Sequence, residues 1–370
     1  MKRALALLLL PAAIALAEAP RARNVILFLG DAGGIPTLNA ASLYGYGKPR
    51  SLFVQGMPHI GLSETSPAFE WVTDSAAGMT AIVTGHKTRN GVISQSDAAV
   101  LGQKDGEALK TILEYAEERG LSTGVVSNSN MADATPAACY AHANDRDKMG
   151  EIFAQILKPR FGDGVDVVIG PGRKEIVDAT GKLGVHLLPE LTRKGYAVPE
   201  SFEGIPGDAR RVVLLVDDEE YDLALAAQRA IDILSRNPRG FFLMVESDLH
   251  TDKIVHGLER AVAFDRIIRR SADRMRGSDT LVIFTADHSF DFRVDGGEQG
   301  APLVSDAEKA SGGDEKDVVR WANVRRDDSH SGEEVLVAAE GPGSEAVHGI
   351  LANTDLFHVM MDAYGWQPSP

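Results

Sequence analysis

Three acidic or imidazole-bearing positions in this chain follow directly on apolar runs. Asp31 follows Val25-Ile26-Leu27-Phe28-Leu29-Gly30, Glu246 follows Phe241-Phe242-Leu243-Met244-Val245, and Asp287-His288 follow Leu281-Val282-Ile283-Phe284-Thr285-Ala286. One such residue can be a helix cap or a solvated strand end. Three of them point to a shared site, because open α/β sheets bind ligands at the edge where their strands finish. Aspartate, glutamate and histidine are the side chains that hold zinc, their oxygen-rich subsets suit magnesium, and an Asp-His pair supplies two different donors from one turn.

A second constellation is Thr73-Asp74-Ser75-Ala76-Ala77-Gly78-Met79-Thr80, where a serine opens a run of small residues expected to be helical. Backbone amides and the positive dipole end at a helix start favour a phosphate or an alkoxide at Ser75. The same pattern also reads as an ordinary N-cap at Asp74 or Ser75. Neither a G-x-S-x-G elbow nor an S-x-x-K motif surrounds this serine, so acyl transfer lacks its usual signature. A metal must activate Ser75 if it is to attack anything.

The elements that would carry these residues are those of an α/β protein. Strands are expected at Asn24 to Gly30, Ile60 to Glu64, Ser122 to Ser127, Val165 to Gly170, Val212 to Val216, Phe241 to Val245, Thr280 to Thr285 and Glu334 to Glu340. Several are nearly continuous in apolar residues, as buried strands should be. Helices are expected at Asp74 to Thr84, Ala108 to Arg119, Asp145 to Ile156, Tyr221 to Leu234, Lys253 to Arg276 and Thr354 to Ala363. The alternation predicts a sheet flanked by helices, and without a repeat or a Pro/Ser-rich linker one domain is expected from residue 18 to 370. Residues 291–328 are polar and weakly periodic, and read as a long surface excursion, a candidate lid.

Lys2 and Arg3 before the apolar run Ala4 to Leu16 read as a signal peptide cleaved after Ala17, hence as export to a periplasmic or extracellular space. The run is too short for a membrane span. With 38 basic and 53 acidic residues the chain carries a formal charge of −15, and loss of the leader takes this to −17. That charge argues against nucleic acid and anionic membranes as partners, as does an aromatic content of 6% with Trp71, Trp321 and Trp366 in no stripe. An acidic protein that handles anions needs local cations, which bound metals supply. Cys139 is the single cysteine, so no intrachain disulfide can form. The acidic run Asp217-Asp218-Glu219-Glu220 reads as a solvated helix start.

In order along the chain, Leu29-Gly30-Asp31, Asp74-Ser75-Ala76, Asp133-Ala134-Thr135-Pro136-Ala137-Ala138, Met244-Val245-Glu246, Thr285-Ala286-Asp287-His288, His330-Ser331-Gly332 and Asn353-Thr354-Asp355-Leu356-Phe357 resemble the bacterial alkaline phosphatase family from Asn24 to the C-terminus. The resemblance implies a three-layer sandwich with a large central, mostly parallel sheet. It also implies an exported phosphomonoesterase that acts through a phosphoserine on Ser75 and uses two Zn2+ and one Mg2+. By it, Asp31, Asp287 and His288 hold the zinc under Ser75, and His330 belongs to a second zinc. The magnesium shares Asp31, adds Thr135 and Glu246, and reaches Asp133 through water. Arg146 matches the arginine that clamps phosphate oxygens, a fork that lysine cannot reproduce. Two zincs about 4 Å apart can hold the attacking and leaving oxygens of an in-line displacement together.

This chain departs from the family at the second zinc, where an aspartate followed four residues later by a histidine is expected. In Glu246-Ser247-Asp248-Leu249-His250-Thr251-Asp252-Lys253-Ile254-Val255-His256, the pair Asp252 and His256 keeps that spacing. Asp248 and His250 fit a shortened loop counted back from Phe264-Asp265, and are favoured. His59, His86, His142, His186 and His358 read as structural or surface residues, and His348 as support for the last helix. A phosphodiesterase or sulfuric-ester hydrolase of the same superfamily is an alternative, although the sulfatase motif Cys-x-Pro-x-Arg is absent. A protein that only captures phosphate or metal is another, in which Ser75 would be idle. The family is commonly dimeric, but a chain short of some members' interface insertions is compatible with a monomer.

Overall fold

The computed structural model describes residues 21–218, 220–311 and 318–367. The leader expected at 1–17 lies outside the described residues. Each expected strand forms: β1 (Asn24–Asp31), β2 (His59–Ser63), β3 (Ser122–Ser127), β4 (Val167–Pro171), β5 (Val212–Val216), β6 (Phe241–Asp248) and β7 (Thr280–Thr285), with β8 (Ser289–Val294), β9 (Val318–Arg320), β10 (Val324–Ser331), β11 (Val335–Glu340) and β12 (Gly349–Leu351) after them. The main sheet has the order β12-β2-β11-β7-β1-β6-β3-β4-β5. Its pairings are parallel except those of β11 with β7 and with β2.

Every residue of β1 is buried, as in a parallel strand covered on both faces. Val25, Leu27 and Leu29 join one apolar core with the helices Ser75–Thr84, Ile112–Glu118, Ala134–Tyr140 and Asp355–Tyr364. Ile26 and Phe28 point into the other, with Ile35–Tyr46, Leu223–Leu234 and Ile254–Met275. Strand alternation thus makes the three layers, and each such side chain removed from water stabilises the fold by about 1.5–3 kcal/mol.

Three local expectations change. The helix expected from Ala108 begins only at Ile112, because Ala108 pairs with Gln95 in an isolated bridge and Thr111 caps the helix with Glu114. The helix expected from Asp145 begins only at Met149, because the Asp145 carboxylate accepts the Asp147 amide at 3.0 Å and holds a turn there. Arg146 therefore stands in a loop, its backbone N–H donating to Gly91 O at 2.8 Å. Within the polar excursion of 291–328, β8, β10 and β9 form a small antiparallel sheet. Its outward charged residues hide the strand period, and its ladder shifts register between Arg326 and His330.

Candidate active site

Parallel register gathers the strand-end residues at one edge. Asp31 stands beside Asp248, and Leu29 beside both Glu246 and Thr285, two residues before Asp287. Ser75 opens the helix that approaches this edge, with Asp74 as its N-cap accepting the Ala77 amide at 3.0 Å. That helix comes close because position 78 is glycine: a Cβ there would lie 2.9 Å from Asp287 O and 3.1 Å from its Cβ. Ser75 Oγ lies 3.4 and 3.3 Å from the two oxygens of Asp31 and 3.3 Å from His288 Nε2, and Ser75 is 4% exposed.

Donor atoms of Asp31, Asp287 and His288 lie within 4.8 Å of one another, and so do those of His250, His288 and His330. His288 and His330 stack with centroids 3.8 Å apart, and His330 is aimed by its ring N–H donating to Thr73 O at 3.1 Å. His250 Nε2 stands 3.5 Å from His330 Nε2, close to the roughly 3.3 Å between two nitrogens each about 2.0–2.1 Å from a tetrahedral zinc. Asp252 is half-buried and in neither group, and His256 instead faces Glu220 Oε1 at 3.3 Å.

A metal fits this donor set. Glu246 bonds Ser127 through Oε2 and leaves Oε1 without a hydrogen-bond partner, and the same is true of Asp287 Oδ2 and Thr135 Oγ1, all buried. Orphaned oxygens in a water-excluded site are costly unless a group other than the protein's own donors binds them, and a divalent cation would do so. Thr135 is on the helix capped by Asp133, which packs against β6, the strand that carries Glu246. Arg146 completes the rim, its Nη1 donating to Asp74 Oδ2 at 3.1 Å and its Nη2 to Asp133 Oδ1 at 2.9 Å.

Without cations the charges are unevenly held. Burial, with Asp31, Asp133 and Asp287 nearby, pushes the Glu246 carboxyl well above its usual range. Burial and Asp31 raise Asp287 to about 6. Burial also works to raise Asp31, but His250, His288 and Arg146 outweigh it and hold that carboxyl low. Burial would lower His250, yet Asp31, Asp248 and Asp287 raise it to about 10, while burial and His288 lower His330.

Sequence reasoning missed the partners that aim these groups. Arg260 donates to Asp248 Oδ2 at 2.9 Å and to Glu220 Oε1 at 2.5 Å, so Glu220 is an anchor and not merely part of a solvated helix start. Asn128 Oδ1 accepts the Asp248 amide at 2.8 Å. The one available signal was that Arg260 follows His256 by one helical turn. His142 is buried between Ser94 O, 2.7 Å away, and Glu114 Oε1, 3.0 Å away, whereas His348 is exposed.

The sequence profile of the alkaline phosphatase family matches residues 22–186 and 207–323. The chain belongs to the alkaline phosphatase family. An alkaline phosphatase of Gadus morhua is 30% identical over 92% of this chain and 91% of its own length. That of Escherichia coli K12 is 29% identical over 93% of this chain and 86% of its own. The solved alkaline phosphatase of the Antarctic bacterium TAB5 superposes with a TM-score of 0.76 at 26% identity, covering 95% of this chain and all of the other. Family membership makes the protein a metal-dependent phosphomonoesterase acting on phosphate monoesters. As in an α/β alkaline phosphatase, the sheet is large and mostly parallel with helices on both faces. Among the described residues no helix is long and apolar enough to cross a membrane.

Proposed function

We propose that this alkaline phosphatase is exported and works with two Zn2+ and one Mg2+, transferring the phosphoryl group of a monoester to Ser75 before water releases it as phosphate. The observation that carries the reading is Ser75 Oγ at 3.3–3.4 Å from both Asp31 and His288. Asp31, Asp287 and His288 would hold one zinc, and His250 and His330 a second, with Asp248 beside them. Asp31, Thr135 and Glu246 would hold magnesium, with Asp133 near. A variant of the TAB5 enzyme is described with magnesium bound. Bound, these ions would lower the serine's pKa and neutralise charge on the phosphoryl and leaving oxygens.

The chain's own groups do the rest. Ser75 Oγ attacks phosphorus as the ester oxygen departs with the electron pair of the breaking bond, and the hydroxyl proton passes to water. The amides at the helix start and the Arg146 fork bind the equatorial oxygens. Water then attacks the phosphoserine, returning the Ser75 hydroxyl and inorganic phosphate. The signal peptide expected at 1–17 supports export.

The test compares hydrolysis of a mono- and a bis-aryl phosphate by the wild type and by Ser75→Ala, with zinc plus magnesium and after chelation, together with acid trapping of labelled phosphoenzyme. Monoester preference, chelator sensitivity and a label on Ser75 are expected. Diester preference would favour the phosphodiesterase reading, and an undiminished Ser75→Ala variant would defeat the serine's role.

A further inference from the structure

Carboxylates around the site differ in what their oxygens already touch. Glu246 and Asp287 each keep one buried oxygen without a hydrogen-bond partner. Asp248 keeps none. Its Oδ1 accepts the His250 backbone N–H at 2.9 Å and the His250 Nδ1–H at 2.7 Å, and its Oδ2 accepts Arg260 Nη1 at 2.9 Å. Unlike Asp31, which belongs to one of the two donor groups, Asp248 stands outside both, while His250 stands in one. Behind it, Arg260 has a side chain only 13% exposed and grips Glu220 with its other terminal nitrogen. The helix that carries Arg260 is pressed onto the same segment, since a Cβ at Gly257 would lie 2.2 Å from His250 O.

We propose that Asp248, clamped by Arg260, is a positioning residue and not a metal ligand: it accepts the Nδ1 proton of His250 and so fixes the tautomer whose Nε2 faces His330. The inference rests on the reading that His250 and His330 hold a metal. Histidine ligands commonly donate their second ring N–H to a carboxylate, which orients the ring and raises its basicity. Here the guanidinium adds a second stage, because it fixes the carboxylate from the far side with Glu220 as its anchor. The metal centre is thereby tied to the helix Ile254–Met275 through one side chain.

Zinc affinity of the full chain, measured by competition with a chromophoric chelator, and the ring tautomer of His250, read by long-range nitrogen-15 NMR on the zinc-loaded protein, test this. Arg260→Met should weaken the second zinc equivalent by about 10–100-fold with the first unchanged. Glu220→Gln, on an exposed side chain, should weaken it by less and leave folding intact. Asp248→Asn keeps an oxygen acceptor for Nδ1–H and should retain the wild-type tautomer, whereas Asp248→Ala should lose it. Unchanged affinity and tautomer in both Arg260→Met and Glu220→Gln would overturn the clamp. An Asp248 oxygen about 2.0–2.2 Å from zinc in a loaded crystal structure would overturn the positioning role. His250→Ala separates the two readings: loss of one zinc equivalent supports the ligand assignment, and retention of both defeats that assignment and the inference with it.

Discussion

Asp74 couples Arg146 to the helix that Ser75 opens: one oxygen caps that helix at the Ala77 amide, and the other accepts Arg146 Nη1 at 3.1 Å and the Gly91 amide at 2.9 Å. A single carboxylate thus sets the distance between the proposed nucleophile and the proposed phosphate clamp. Asp74→Ala should lose about 0.5–2 kcal/mol of stability with the cap and raise KM for an aryl phosphate several-fold. Asp74→Asn caps nearly as well, so its melting temperature should stay near the wild type's while KM still rises. An unchanged KM in Asp74→Asn would show that the cap alone matters.

Arg146 is expected to contribute to binding of the phosphoryl oxygens through two charge-assisted hydrogen bonds. Arg146→Lys should lower kcat/KM by about 10–100-fold, since a charged hydrogen bond contributes about 1.5–3 kcal/mol and an ammonium cannot form the fork. Inhibition by inorganic phosphate should weaken in parallel. Steady-state kinetics with and without phosphate check both, and a variant with unaltered phosphate inhibition would remove Arg146 from the site.

Gly78 lets the serine helix lie against Asp287. Gly78→Ala would place a methyl 2.9 Å from Asp287 O, and the helix must move to relieve the contact. Overpacking of this kind costs about 1–3 kcal/mol. Despite the better helix propensity of alanine, the melting temperature should fall, and kcat should fall with it as Ser75 leaves Asp31 and His288.

Far from the site, Glu117 makes stability depend on pH. Burial, with Asp166 and Asp163 adding their charge, raises its carboxyl to about 8 against the donation of Thr123 and Gly164, and the residue is 4% exposed. An unfolded glutamate titrates near about 4.3. Between these values the native state holds a proton that the unfolded chain has released, so this contribution is complete below about pH 4 and is lost as pH rises to about 8. Glu117→Gln removes the loss. The variant and the wild type should be about equally stable near pH 4 to 5, and above pH 8 the variant should be more stable by on the order of a few kcal/mol, with a higher melting temperature. A constant difference across that range would count against the titration.

Cation removal should destabilise the protein as well as silence it. Asp31, Asp133 and Asp287 sit close enough to Glu246 to raise its carboxyl, and Asp31 close enough to Asp287 to raise that one. Dialysis against a chelator should therefore lower the melting temperature, and returning zinc and magnesium should restore it. A ligand at 100 times its Kd adds about 2.7 kcal/mol to folding. A melting temperature indifferent to chelation would argue against cations at this edge.

The chain itself determined the strands of the main sheet, because parallel strands covered on both faces must be apolar almost throughout, as Val25 to Leu29 and Phe241 to Val245 are. It also determined which ligand-type side chains would meet, since Asp31, Glu246 and Asp287 follow such strands and parallel register carries strand ends to one edge. Spacing left the histidine of the second donor group open. Asp252 and His256 have the spacing that one loop length would require, Asp248 and His250 that of another. Only the tertiary structure separated them, by starting the helix at Ile254 and turning His256 toward Glu220 while His250 faces His330. The Arg260 clamp and the small sheet of β8, β10 and β9 were likewise beyond the sequence. Both depend on which faces pack together, and a local pattern of residue types does not encode the distance between elements that are far apart along the chain.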